Sequence, residues 1–401
     1  MSVWLLVVNV GSTSVKTHLF DGDLRDIAVL TADYGRVDGV VIGGQDLQGQ
    51  MVEEHCGPVG DVSAVLALVL DRWRQWLDAE AWVLAAIGHR IVHGADWFAT
   101  LTPINPDVLQ RLAGLDRYAP LHNPLNRLGV QMACRHFPEV AQFALFDTAF
   151  HRNIPEYAGR YAIPASLSSS VAFYRYGFHG ISCQHSLTEA ARYLACEPAK
   201  LNLIVLHLGG GASATAIRAG VGVDTSMGFS PTEGLMMASR SGDIDPMVLL
   251  TLQRQGMSVD ELDAVLNHRS GLKAICDDTD MRRILLKAGQ GDSDALLAID
   301  MFCYRIKKTI GAYCAVLGEV SALVFTGGIG EHAAEIRQRI VTGLEPLGFS
   351  IDLVANARHE PDISGADSRS RILIIPAEEE RVCARQILSF LDRRPSQISP
   401  D

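Results

Sequence analysis

The stretch Trp4-Leu5-Leu6-Val7-Val8-Asn9-Val10-Gly11-Ser12-Thr13-Ser14-Val15-Lys16-Thr17-His18-Leu19-Phe20 decides the fold. Its apolar start, residues 4–8, reads as a buried strand, and Asn9 and Gly11 end it in a turn. Residues 15–20 are strand-like again, and Asp21-Gly22-Asp23 is a turn signal. Together they predict a β-hairpin with a small, polar tip. Half a chain later the arrangement returns. Residues 203–208 form an apolar strand, Gly209-Gly210-Gly211-Ala212-Ser213 a small-residue turn, and residues 214–217 a second strand. Set side by side, residues 7–14 and 206–213 are two strand–turn–strand units, which predicts an internal duplication with two similar α/β domains.

Working outward, residues 62–77 have helical spacing, with Val65, Leu66, Val69, Leu70, Trp73 and Trp76 on one side. Residues 86–92 read as a buried strand followed by His93-Gly94, and residues 143–146 as another, stopped by Asp147. Residues 322–325 form a strand that runs into Thr326-Gly327-Gly328-Ile329-Gly330-Glu331 and then a helix. A strand at 372–375 precedes Pro376 and a helix from Glu379 to about Leu391. The polar tail 393–401 reads as frayed. No composition shift marks a linker, so the domain boundary is placed near residues 147–157.

The chain has 401 residues, long for one core and comfortable for two domains. Its formal charge of −11 argues against general affinity for nucleic acid or an anionic membrane. An anionic substrate must then be drawn in by local arginines. Eight scattered cysteines without a C-x-x-C pair suggest reduced thiols and a cytoplasmic home. The first residues lack the basic region of a signal peptide. No apolar run reaches the ~18 residues of a membrane span.

Three small-residue turns follow three buried strands. Such turns bare backbone N–H groups and let anions approach. None matches G-x-x-x-x-G-K-[ST], and none carries the full dinucleotide fingerprint. Arg90 ends a buried strand and Arg240 lies in the polar loop Ser239-Arg240-Ser241-Gly242-Asp243. Two guanidinium groups can clamp a carboxylate and a transferring phosphoryl group; taken singly, each also reads as a surface ion-pair partner. Asp147, at a strand end, suits an orienting carboxylate, a water-mediated metal contact or a cap. His179, in Tyr176-Gly177-Phe178-His179-Gly180, suits a donor to developing charge or a satisfied structural histidine. No histidine falls into a zinc spacing.

These segments carry a recognisable pattern. The stretch from Asn9 to Lys16 resembles the opening phosphate turn of acetate kinases. His89-Arg90-Ile91-Val92-His93-Gly94, Phe146-Asp147-Thr148-Ala149-Phe150-His151, Tyr176-Gly177-Phe178-His179-Gly180 and Asp224-Thr225-Ser226-Met227-Gly228 resemble the same family. So do Glu233-Gly234-Leu235-Met236-Met237, Arg240-Ser241-Gly242-Asp243-Ile244-Asp245-Pro246 and Phe325-Thr326-Gly327-Gly328-Ile329-Gly330-Glu331. The blocks run in order from residue 5 to about 385.

The resemblance implies an α/β fold of two duplicated ribonuclease-H-like domains flanking a nucleotide cleft, in the acetate and sugar kinase, heat-shock-70 and actin superfamily. It places the domains at 1–148 plus 382–401 and at 149–381. The implied reaction is reversible, in-line transfer of the ATP γ-phosphoryl to acetate. By resemblance Asn9 and Glu379 help bind Mg²⁺, with Mn²⁺ as an alternative. Lys16, His207, Leu208, Gly209, Gly210, Gly211, Asp280, Met281, Arg282, Gly328, Ile329, Gly330, Glu331 and His332 contact ATP or ADP. Arg90 binds the carboxylate and phosphoryl group, Asp147 is the acid/base or orienting carboxylate, and His179 and Arg240 stabilise the transition state. Val92, Leu121, Phe178 and Pro231 line an apolar pocket for the acyl tail. A homodimer is expected, with no nucleic-acid or membrane partner.

The sequence departs from the family pattern in four places. Gly210 stands where asparagine is common, Ala238-Ser239 where Gly-Thr is usual, and His332 where asparagine often follows Glu331. Ala377-Glu378 replaces the Thr-Asn before the metal-associated glutamate, so Glu378 and Glu380 compete with Glu379 for that role. The readings carried forward are an acetate kinase, a propionate or other short-chain acyl kinase, and a non-catalytic ATP-binding module on the same fold.

Overall fold

A computed structural model describes residues 3–35, 39–57, 59–168 and 171–393. The tail expected to fray lies outside them beyond Arg393. The chain divides into two compact units, Met1–Ala149 with Glu378–Asp401, and Phe150–Ala377.

The first unit is built on strands β1 (Trp4–Val10), β2 (Ser14–Phe20), β3 (Asp26–Asp33), β4 (Val40–Gln45), β5 (Met51–Cys56), β6 (Leu84–Ile91), β7 (Thr102–Pro103) and β8 (Ala141–Phe146). Their order in the sheet is β5-β4-β3-β2-β1-β6-β8-β7. The predicted hairpin is β1–β2, antiparallel, with Asn9 opposite Lys16. Strands β6 and β8 run parallel to β1 and to each other, so both are fed from the same end of the sheet. The helix Val62–Ala79 begins at Asp61, whose side chain accepts from the Ala64 N–H, a cap that satisfies one free helix donor. Its buried row is Val65, Leu66, Val69, Leu70, Trp73 and Leu77. Trp76, expected in that row, stands at its edge, with its ring 5.3 Å from that of Trp73. Leu77 continues the i, i+4 seam from Trp73 and takes the inner place. The buried Trp73 Nε1 donates to Thr17 Oγ1 at 2.7 Å, and that hydroxyl donates to the Leu30 carbonyl, so the core carries no cost for the indole N–H.

A helix from the far end of the chain, Glu379–Arg393, closes this unit and buries Val382, Cys383, Ala384 and Ile387. It lies on β6 at Gly88, where a Cβ would stand 2.6 Å from both Cys383 Sγ and Ile387 Cδ1. Glycine permits that approach without displacing either side chain. It fixes the first turn of the closing helix near Arg90, two residues along β6.

The second unit holds β9 (Leu203–Leu208), β10 (Ala212–Arg218), β11 (Val221–Thr225), β12 (Ala322–Thr326) and β13 (Arg371–Ile374), ordered β11-β10-β9-β12-β13. Here too an antiparallel trio is followed by two parallel strands. The sequence β3-β2-β1-β6-β8 of the first sheet has the same order and directions, which is the duplication expected from the two hairpins. The helix Gly180–Tyr193 packs Cys183, Leu187, Ala190 and Ala191 against Leu203, Val205, Ala322 and Val324. Two expectations change here. Ala212 and Ser213 belong to β10 and not to the turn, because Ala212 pairs with Leu208 and the turn closes through Gly209 N–H to the Gly211 carbonyl at 2.9 Å. The glycine run after β12 is itself the helix Gly327–His332. Gly327 has φ +76°, and a Cβ there would meet the Leu208 carbonyl oxygen at 2.8 Å, so the chain enters that helix without a connecting loop.

Buried histidines give the fold an acid limit. Burial lowers His89 to about 4 despite its hydrogen bond to Gln142, and lowers His151 to about 4 against a bond to the Phe178 carbonyl. An unfolded histidine titrates at about 6.5. Between pH about 6.5 and about 4 the unfolded chain binds more protons, so stability falls as pH drops through that window. Urea midpoints measured from pH 7 to 4.5 should decline, and less steeply in His89→Gln.

Candidate functional site

In the first unit the site residues meet at the ends of β6 and β8. Arg90 leaves β6 and Asp147 directly follows β8, where its N–H continues the ladder to the Ile91 carbonyl at 3.0 Å. The guanidinium grips Asp147 from two sides, Nε at 3.2 Å from both carboxylate oxygens and Nη2 at 2.8 Å from Oδ2. Its Nη1 donates to Glu379 Oε2 at 2.6 Å. Burial alone would lower the Arg90 pKa, but the Asp147 and Glu379 carboxylates outweigh it and hold the group firmly charged. Glu379 is pushed up to about 8, by burial and by Asp147 and Glu380, with Arg90 opposing. Its Oε1 is buried and takes no hydrogen bond from any described residue.

Asn9 turns to a different carboxylate. Its Nδ2 donates to Glu380 Oε1 at 3.1 Å. Burial would raise Glu380, but the Asn9 bond and the charges of His18 and Arg90 hold it below the usual carboxylate range. Glu378, standing where asparagine is usual, is ion-paired with Arg381, and Arg381 reaches Asp26 on β3 at 2.8 Å. The departure in sequence thus anchors the closing helix to the hairpin sheet. Lys16 is exposed on β2, Val92 is half-buried with its N–H on Asn126 Oδ1, and Leu121 is exposed.

In the second unit His179 adopts a left-handed backbone, φ 57°, at the head of the helix Gly180–Tyr193. That conformation is unfavourable for a residue with a side chain and needs a surrounding that enforces it. Gly177 supplies part of it, with φ +70° and no room for a Cβ beside Thr225 and His151. The His179 Nδ1 lies 3.0 Å from Ser213 Oγ, and its ring stacks on His207 with centroids 4.1 Å apart. His207 Nδ1 in turn meets Ser182 Oγ at 2.9 Å. A Cβ on Gly211 would lie 3.5 Å from the His179 ring and 3.7 Å from Arg240 Nη1. The turn, the imidazole and the guanidinium therefore converge on one point.

Arg240 is held differently from Arg90. Its Nη1 faces the Pro231 carbonyl at 3.3 Å and Met237 Sδ at 4.0 Å. No carboxylate among the described residues lies in ion-pair range of it, and burial lowers its pKa. Its loop is tied to the Gly209–Gly211 turn by Ala238 N–H to the Gly210 carbonyl, 3.2 Å, and Ser239 Oγ donates to the Asn267 carbonyl. A buried cation without a counter-ion is costly, and an anionic ligand is the economical partner for it. Pro231 touches this group; Phe178 is fully buried and gives its carbonyl to His151.

The remaining expected nucleotide residues lie on two helix starts. Asp280 caps the helix Met281–Gly289 through the Arg282 N–H and pairs with the Arg282 guanidinium, while Met281 is buried. In the helix Gly327–His332, Gly328 and His332 are exposed, Ile329 is half-buried, Gly330 is buried, and Glu331 Oε1 accepts from the Ala377 N–H at 3.0 Å. Among the described residues no group of three or more His, Cys, Asp or Glu side chains is placed to hold a metal ion, and no helix is long and apolar enough to cross a membrane.

The model of the acetokinase family matches residues 4–385. The chain belongs to the acetokinase family. An acetate kinase of Streptomyces coelicolor is 45% identical over 400 residues, covering 97% of each chain. One from Sulfurovum sp. is 42% identical over 395 residues, covering 97% of this chain and 99% of its own. Among solved structures, a propionate kinase from Francisella tularensis superposes with a TM-score of 0.90 at 37% identity, covering 96% of this chain and 98% of its own. Porphyromonas gingivalis acetate kinase superposes at 0.88 with 32% identity, covering 97% of this chain and all of its own. The duplicated two-sheet α/β architecture is that of this acetokinase group.

One residue of interest was left open by the sequence reading, and another escaped it. Glu380 meets Asn9, yet three consecutive glutamates give no signal of which one faces inward. Arg337 is fully buried in the helix Ala334–Val341. The only hint was a basic residue in a row with Ile336, Ile340 and Val341.

Proposed function

We propose that this acetokinase-family chain transfers the γ-phosphoryl group of ATP reversibly to the carboxylate of acetate. The observation that carries the reading is Arg240, a largely buried guanidinium beside His179 and the bare Gly209–Gly211 turn, with no carboxylate of its own. Together with Arg90 and His179 it can clamp a carboxylate against a phosphoryl group, which a module that only binds nucleotide does not need. Acetate is already ionised near neutral pH, so no strong base is required. The chemistry is positioning and charge compensation.

In this reading Arg90 binds the acyl carboxylate and the incoming phosphoryl oxygen. Asp147 orients Arg90 by the two-sided grip. Arg240 and His179 donate to the equatorial oxygens as charge spreads over them. The turn from His207 to Gly211, together with Lys16, Asp280, Met281, Arg282, Gly328, Ile329, Gly330, Glu331 and His332, serves the nucleotide. Val92, Leu121, Phe178 and Pro231 border the acyl tail.

The oxygen donors of Asn9, Glu379 and Glu380 suit a hard divalent cation, and the unpartnered buried Glu379 Oε1 fits one. A set of one or two carboxylates suits Mg²⁺, which keeps most of its shell for water and phosphate. When bound, Mg²⁺ or Mn²⁺ offsets the negative charge of the phosphate oxygens.

Gly210 gives a prediction peculiar to this chain. A Cβ there meets nothing within 4 Å, and its φ is outside the left-handed region. Gly210→Asn should fold with an unchanged melting temperature and lower the KM for ATP severalfold, by adding one amide donor near the phosphates. Steady-state kinetics against ATP at saturating acetate checks this.

A propionate kinase reading is favoured by the superposition on the Francisella tularensis enzyme. One methylene changes selectivity by only ~1–3 kcal/mol, so the ratio of kcat/KM for the two acids decides it. A coupled assay of ADP release tests the main proposal: acetate must raise the rate far above the acetate-free ATPase. ADP release indifferent to acetate would favour the nucleotide-module reading. Homodimerisation and a cytoplasmic location complete the proposal, the first checked by light scattering on the eluted protein.

A further inference from the structure

Arg337 is fully buried, and none of its partners is a carboxylate. Its five N–H groups are directed at backbone carbonyls, the Asn356 amide oxygen and His359 Nδ1. Nη1 donates to the Gly330 and Glu331 carbonyls, each at 2.8 Å. Nε donates to Asn356 Oδ1 at 2.8 Å, and Nη2 faces the Asn356 carbonyl at 3.0 Å and His359 Nδ1 at 3.1 Å. His359 Nδ1 also lies 3.0 Å from the Glu331 carbonyl, so it serves the guanidinium as an acceptor or the carbonyl as a donor. Asn356 is fixed in turn by its Nδ2 bond to the Ala334 carbonyl at 2.9 Å.

The helix Gly327–His332 needs this support. It is six residues long, and the last carbonyls of a helix have no partner within it. Its glycines contribute no side chains that could hold it in place, and glycine carries the greatest backbone freedom. A planar, fixed fork of donors suits the purpose where a flexible ammonium does not. The charge also sits at the negative, carbonyl end of the helix, the favourable end for a cation.

We infer that Arg337 is a positioning residue for the nucleotide: it locks the glycine helix Gly327–His332 from behind, so that its exposed face, at Gly328 and His332, is preformed for ATP. Asn356 and His359 are the supports that hold Arg337 to this task. The inference rests on the reading that this helix contacts the nucleotide.

Three variants are measured together for KM of ATP, KM of acetate, kcat and the nucleotide-free melting temperature. Gly328→Phe tests the underlying reading, because a Cβ at Gly328 meets nothing within 4 Å and the fold should accept it. It should raise the KM for ATP at least tenfold. Arg337→Met should raise the KM for ATP about tenfold while the KM for acetate stays within twofold, and Arg337→Lys should fall between, since it keeps the charge and part of the reach. A rise for Gly328→Phe with an unchanged ATP KM in both Arg337 variants overturns the inference alone. Equal changes in both KM values, or a lower melting temperature with unchanged kinetics, overturn it as well, since they mark a merely structural arginine. An unchanged ATP KM in Gly328→Phe sinks the underlying reading and the inference with it. Should Arg337→Met fail to fold, Arg337→Lys with the exposed-site variant His359→Ala carries the test, with a twofold or larger rise confined to ATP as the supporting result and no selective rise as the opposing one.

Discussion

Arg240→Ala lowers kcat for acyl phosphate formation at least a hundredfold and leaves the melting temperature nearly unchanged. The two halves of this expectation have separate causes. Removing one preorganised donor to transition-state charge typically costs ~3 kcal/mol, and each 1.36 kcal/mol is about tenfold in rate. Stability is spared because Arg240 has no carboxylate partner to orphan. Its polar protein contacts are the Pro231 carbonyl at 3.3 Å and a distant thioether, and the unliganded protein is relieved of a buried charge. Arg240→Lys should not restore the rate, since a single ammonium cannot reproduce the planar fork. Single-turnover rates and thermal melts on the same preparations check both halves.

Arg90→Ala should remove activity as fully but also destabilise the fold, by about 3–5 kcal/mol. Here the arginine is the sole described cation paired with both Asp147 and Glu379, and its loss leaves two buried carboxylates facing each other. The double variant Arg90→Ala with Asp147→Asn should recover much of the stability and none of the activity. Urea unfolding with kinetics on the single and double variants separates the two contributions. The contrast between the arginines is the informative result. A pair of merely structural arginines would lower stability at both positions and spare the rate.

The sequence made the hairpins legible because strand, small-residue turn and strand follow one another without interruption at both places. Other features depended on contacts distant in sequence. Ala212 and Ser213 look like turn residues by size, and only their pairing with β9 places them in a strand. Gly327 looks like a loop residue, and only the nearness of Leu208 explains its left-handed entry into a helix. In the site, Arg90 and Asp147 could be singled out from strand ends. The choice among Glu378, Glu379 and Glu380 could not, since it depends on how the closing helix is rotated on β6 at Gly88. That rotation sends Glu378 to Arg381, Glu379 to Arg90 and Glu380 to Asn9. Arg337 was invisible because its partners are backbone carbonyls, an asparagine and a histidine, none of them a carboxylate that would leave a charge pattern.

The most direct test of the carboxylate kinase reading is trapping of acyl phosphate with hydroxylamine, in the presence of ATP and Mg²⁺, across formate, acetate, propionate and butyrate. The reading predicts hydroxamate from acetate with the wild-type chain and almost none with Arg240→Ala. No hydroxamate from any of the four acids, from a protein that still binds ATP, would contradict it.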